Sequence, residues 1–164
     1  MPVIELTTTI KAPVTVCFDL ARSIDLHKLS TAGTREEAIA GVTSGLIGKD
    51  EQVTWRARHF GVTQCLTSRI TAYDYPRHFR DEMVKGIFTM IRHDHYFKES
   101  GDETVMKDVF QFQSPFGVCG RLFNYIILTR YLKRFLKKRN EIIRQMAETP
   151  DGGKYLAEIY HPRN

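Results

Sequence analysis

His93 and His95, two histidines separated by one residue, are the groups in this chain best placed to do chemistry. On a strand they project from one face, because successive side chains alternate sides. The same rule places two carboxylates. Asp81 alternates with Phe79 and Met83, and His93 and His95 with Phe97. Asp108 alternates with Met106, Phe110 and Phe112. The apolar partners assign each of these faces to the interior. Imidazole and carboxylate groups held there unpaired cost several kcal/mol each, so they must meet one another, water or a ligand.

Three readings follow. The groups satisfy each other and pin the strand register. Or they form the polar end of a pocket, holding a hydroxyl, carbonyl or carboxylate. Or Asp81, His93, His95 and Asp108 act as a general acid/base set or a metal shell, for which His-x-His on one face is acceptable geometry. The spacing does not choose among them, since any two alternate strand residues share a face.

Other motifs are excluded on spacing. Gly41 and Gly45 have three residues between them and Lys49 is followed by Asp50, so residues 41–50 do not make a Walker loop. A loop over a cavity entrance, with Leu46 and Ile47 as its apolar tip, is expected instead. No serine or cysteine nucleophile signature is present. Cys17, Cys65 and Cys119 are odd in number and form no CxxC, which argues against a disulfide framework or a cysteine zinc site. No cofactor is expected. Trp55, the only tryptophan, shares a face with Val53 and Ala57 and reads as a core or cavity-wall residue. Tyr73 and Tyr75 flank a turn, where they rim a pocket mouth or simply pack.

The elements that position these residues are strand-rich. Residues 3–12 alternate and end at Pro13, which suits the start of a helix over 14–21. Ser23 and Asp25 suit the cap of a second short helix over 26–29. Strands are expected at 34–41, 51–60, 62–72, 77–85, 88–98 and 103–113, separated by turns at Gly61, Pro76, Gly86 and Gly101. None of these turns has room for a crossover helix, so the strands are antiparallel. Residues 116–148 carry an apolar helical stripe through Leu122, Ile126, Leu132, Leu136, Ile143 and Met146. Residues 149–153 are expected to stop that helix. The resulting fold class is α+β: a curved antiparallel sheet of six or seven strands wrapped around a long C-terminal helix, with two short helices after the first strand. One domain, 1–148, is followed by a polar tail, 149–164, with at most a loose turn near Tyr155.

This order, with its residues, resembles the helix-grip superfamily called SRPBCC, which includes START domains, the birch pollen allergen and polyketide cyclases. The resemblance spans about 3–148. It is carried by Ala12-Pro13 and the helix with Phe18 and Leu20, by Gly45-Leu-Ile-Gly48, and by the strand from Val53 through Trp55 to Gly61. It continues in Phe79-Arg-Asp81-Glu-Met83, in His93-Asp-His95-Tyr-Phe97, and in Ser114-Pro115-Phe116-Gly117. It is most similar to a bacterial branch of uncharacterised ligand-binding proteins. The resemblance implies a cavity between sheet and helix that binds, transports or senses a small apolar or aromatic molecule or lipid. Its expected wall is Trp55, Leu66, Phe79, Met83, Phe97, Met106, Phe110, Leu122, Ile126 and Leu136, with Asp81, His93, His95 and Asp108 as polar contacts. The alternative is a cyclase or dehydratase in which the inward His and Asp move protons.

Composition fits this reading. The 164 residues carry a net charge of +5 and are 42% hydrophobic, an ordinary globular balance. The positive charge concentrates on the last helix: Arg121, Arg130, Lys133, Arg134, Lys137, Lys138, Arg139 and Arg144 stand against Glu141 alone. That stripe is expected to face solvent, where it either stays solvated or meets an acidic partner or anionic membrane surface in a protein-interaction role. Few aromatics interleave it, which argues against nucleic acid. The N-terminus alternates rather than forming an apolar block, so a cytoplasmic protein is expected.

Overall fold

The computed structural model describes residues 1–59, 61–113 and 127–160. Seven strands form one sheet: β1 (Val3–Ile10), β2 (Glu37–Gly41), β3 (Gln52–His59), β4 (Val62–Asp74), β5 (His78–Lys85), β6 (Met90–Ser100) and β7 (Glu103–Gln113). Their spatial order is β1-β7-β6-β5-β4-β3-β2, with every neighbouring pair antiparallel. Register shifts in the β2–β3 and β4–β5 pairs bend the sheet, as extra residues in one strand do.

Two short helices, α1 (Val14–Ala21) and α2 (Ile24–Ser30), follow β1. Phe18 of α1 plugs one end of the sheet. Its ring meets Tyr73, Tyr75 and Phe79 edge-on at 5.1–5.4 Å and Phe97 at 5.3 Å. The two tyrosines therefore pack there instead of rimming the cavity. Ser23 caps α2, its Oγ accepting from the Leu26 amide at 3.2 Å, a contact worth about 1 kcal/mol. Asp25 takes another job. It accepts from the Gly45 amide at 2.7 Å and pairs with Lys28. That bond, with the Ile24 amide donating to the Gly45 carbonyl, ties the glycine-rich segment to α2. Ile47 is buried, so residues 41–50 are a pinned wall, not a free flap.

The long helix, α3 (Thr129–Ala147), crosses the concave face and packs on β1, α1 and α2. Its expected start, with Ser114 to Gly117, Cys119, Arg121, Leu122 and Ile126, lies outside the described residues. The stripe through Leu136, Ile143 and Ala147 is buried.

The expected polar tail is corrected by a fourth helix, α4 (Pro150–Tyr160). Pro150 does not merely stop α3. It opens α4, where a missing amide costs nothing. Gly152 lies so close to α3 that a Cβ would collide with the Met146 carbonyl. Leu156 joins the main core at 6% exposure, and the Tyr155 hydroxyl sits 2.6 Å from Ser23 Oγ. No helix among the described residues is long and apolar enough to cross a membrane.

Candidate functional site

Pairing register brings four polar residues together on the concave face. Across β5–β6, Asp81 is opposite His93 and Phe79 is opposite His95. Across β6–β7, His95 is opposite Asp108 and His93 is opposite Phe110. The hydrogen bonds run along the diagonals of this square. His93 Nε2 lies 3.0 Å from Asp108 Oδ1, and His95 Nε2 lies 3.0 Å from Asp81 Oδ2. The edges are also short. His95 Nδ1 approaches Asp108 Oδ1 at 2.8 Å, and His93 Nδ1 approaches Asp81 Oδ2 at 3.7 Å. The His95 Nδ1 approach lies off the ring's N–H direction, so it is an ion-pair contact without a formed hydrogen bond. The two imidazole centroids are 3.8 Å apart.

Helix α3 completes the cluster. Asn140 Nδ2 donates to Asp108 Oδ2 at 2.6 Å. Arg139, expected on the solvent side, is instead 5% exposed. Its Nη2 donates to the Ala21 carbonyl at 2.7 Å. Its Nη1 lies 3.6 Å from Asp108 Oδ1 and has no hydrogen-bond partner among the described residues. Arg139 and Asn140 stand three and four residues after Leu136, on the buried stripe. That spacing was the available signal, and counting the basic residues as one solvent face hid it. Arg130, Lys133, Arg134, Lys137 and Lys138 are exposed or half-buried, in line with the expected solvent face.

The environments split the two imidazoles. Burial, helped by the neighbouring His95, lowers the His93 pKa to about 4, so this ring is neutral near pH 7. Burial acts the same way on His95, but its close contact with the Asp108 carboxylate and its hydrogen bond to Asp81 outweigh it and raise its pKa. For Asp108, burial favours the neutral acid. The hydrogen bond from His93 and the close contact with His95 overcome this and hold the carboxyl well below its usual range. Asp81 is lowered for the same reasons, its strongest support coming from His95.

Above this cluster, between sheet and α3, lies a cavity of about 390 Å³. That is within the roughly 300–1,000 Å³ of small-molecule sites. Trp55, Leu66, Phe79, Phe110 and Leu136 line it, as do Asp81, His93 and His95. Four expected contacts do not. Phe97 and Met106 are spent in the core, Phe97 against Phe18. Met83 packs with Leu66 and Phe110 in a second core cluster, off the lining itself. Asp108 is fully buried behind the imidazoles it holds. The cavity gains residues not anticipated from the sequence, among them Phe88, Ile91, Tyr131 and Arg139. His27 and Glu36 also border it: the His27 ring lies over Trp55 at 4.3 Å, and its Nε2 is 3.4 Å from Glu36 Oε2. No pattern in the sequence joins α2 to the segment before β2, so this pair was not visible there.

No family model matches the chain, and no curated protein matches its sequence. Solved structures do match its shape. The protein TTHA0849 from Thermus thermophilus superposes with a TM-score of 0.68 at 17% identity, over 87% of this chain and 97% of that one. Ginseng major latex-like protein 151 from Panax ginseng gives 0.67 at 16% identity, over 90% and 98%. A START superfamily protein from Mycobacterium smegmatis gives 0.67 at 11% identity, over 89% and 97%. At these identities the likeness establishes architecture alone: the chain shares the helix-grip α+β fold of these structures.

Proposed function

We propose that this protein binds a small, mainly apolar molecule between sheet and α3, with one oxygen-bearing end directed at Asp81, His93 and His95. The observation that carries this reading is the cavity of about 390 Å³ with an aromatic and aliphatic wall and a polar cluster on β5 and β6. Apolar burial supplies affinity at roughly 25 cal/mol per Å². The polar cluster supplies orientation, because a ligand oxygen that leaves those groups unpaired forfeits binding. The fold's START and latex-like neighbours support the reading only by analogy of architecture.

An environment-sensitive apolar dye tests it. The wild-type protein is expected to enhance dye emission saturably. Leu66→Trp, which fills the wall, is expected to weaken binding by about tenfold or more, equivalent to about 1.4 kcal/mol. Dye binding no tighter than to an unrelated globular control rejects the proposal. The opposed pKa shifts of His93 and His95 favour a second reading, an acid/base enzyme acting on a bound carbonyl compound. Deuterium exchange next to the carbonyl of a bound ketone, lost in His93→Gln, supports catalysis. Exchange at the solvent rate excludes it.

A further inference from the structure

We propose that Asp81, His93 and His95 form a binding site for a divalent transition-metal ion on the wall of the cavity. Each offers one donor atom, and the three donors lie within 4.8 Å of one another. Asp81 Oδ2 is the hub, 3.0 Å from His95 Nε2 and 3.7 Å from His93 Nδ1. Donors about 2.1 Å from a metal sit about 3.0 Å apart at a right angle and about 3.4 Å apart at a tetrahedral angle. Small side-chain adjustments therefore close the site.

The arrangement behind the donors points the same way. A carboxylate only accepts, so His93 Nε2 carries the hydrogen it shares with Asp108. In the neutral ring, the form that ligates metals, Nδ1 then holds a lone pair. That lone pair faces the Asp81 carboxylate across 3.7 Å, a gap too long for a hydrogen bond and short for an intervening water. Two electron-pair donors facing each other in a buried wall are matched by a cation between them. His95 spans the same two carboxylates, with Nε2 hydrogen-bonded to Asp81 at 3.0 Å and Nδ1 in ion-pair contact with Asp108 at 2.8 Å. One carboxylate thus lies behind both rings, as the outer partner of metal-bound histidines commonly does. Asn140 and Arg139 fix Asp108 in turn.

Two imidazoles and one carboxylate select a first-row ion such as Fe(II), Co(II) or Zn(II) over magnesium or calcium. Three protein donors leave coordination positions open, and all three residues border the cavity. The ligand class that completes the shell is an oxygen donor: a carboxylate or a pair of neighbouring carbonyl or hydroxyl oxygens on an apolar body. The metal site stands apart from the ligand reading above. Metal is titrated without any ligand, and the dye test is run on chelator-treated protein.

Cobalt(II) titration of the chelator-treated full chain tests the site. The expected result is one saturable equivalent with visible d–d absorption. Asp81→Asn and His93→Gln are expected to weaken it by at least the about 10–100-fold that follows loss of an outer partner alone. His78→Gln, on the opposite face of the sheet, leaves it unchanged. Absent or non-stoichiometric binding overturns the proposal, as does equal affinity in the wild type and both inner variants. Should those variants fail to fold, copper(II) electron paramagnetic resonance on the wild-type protein decides. Splitting from two imidazole nitrogens supports the site, and splitting from fewer overturns it.

Discussion

Strand β6 buries charge on both of its sides, and the two sides differ in how completely they are satisfied. On the convex side, Asp94 is 4% exposed, yet three donors converge on it. His78 Nε2 and Arg80 Nε reach Oδ1 at 2.7 Å each, and Arg92 Nε reaches Oδ2 at 3.2 Å. His78 also stacks on Tyr96 at 4.6 Å. On the concave side the count does not close. His95 Nδ1, Arg139 Nη1 and Asn140 Oδ1 are buried without a hydrogen bond to any of the described residues. A cluster with all its bonds made is an anchor. A cluster with capacity left over, opening on a cavity, is where a ligand or ion finds its contacts.

The sharpest way to break this comparison is to remove each carboxylate. Asp108→Ala strands Arg139 and two imidazoles in the interior and is expected to cost about 3–5 kcal/mol by urea unfolding. Asp94→Ala leaves partners that reach water, and is expected to cost about 1–2 kcal/mol. Equal losses would show that the two faces are energetically alike.

Acidity separates them further. Burial favours protonated Asp94, but hydrogen bonds from Arg80 and His78 win and lower its pKa from the usual 3.8. Its stabilisation is therefore complete above 3.8 and fades as pH falls through the lower folded value. The advantage of wild type over Asp94→Asn in urea midpoint is expected at pH 6 and to shrink by pH 3.

The inner pair responds nearer neutrality. With His93 lowered to about 4, its contribution is present above 6.5 and is lost as pH falls toward 4. With His95 raised, its contribution is present below 6.5 and is lost as pH rises toward the folded value. The pair alone gives a stability maximum near 6.5. Imidazole nitrogen shifts at pH 6 are expected to show one neutral and one charged ring. Two neutral rings would remove the asymmetry. The smallest effect belongs to Arg92→Ala, whose half-exposed side chain at 3.2 Å from Asp94 is worth under about 1 kcal/mol in a thermal melt.

Much of this was legible because a strand has a period of two. The alternation of His93, His95 and Phe97, and of Met106, Asp108 and Phe110, assigned the inner face correctly. Strand β7 runs over 103–113 as its pattern requires. The same alternation cannot say how far along the sheet the space remains open. Phe97 and Met106 have inward faces like those of Phe79 and Phe110, but α1 fills their end with Phe18. Arg139 escaped notice because charge was weighed above helical phase. Helix α4 escaped because two glycines and a proline read as a stop. Glycine at 152 reflects close contact with α3, which no local pattern encodes.

That contact also fixes how the C-terminal helices are joined to the rest of the molecule. With a bare glycine against the Met146 carbonyl, the corner joining α3 to α4 has no slack, and the Tyr155–Ser23 bond clamps the far side to the beginning of α2. Ser23 and Leu136 both border the interior space. Any displacement of α3 therefore strains two ties at once, the tight corner into the last helix and the hydroxyl bond that moors that helix to the second one.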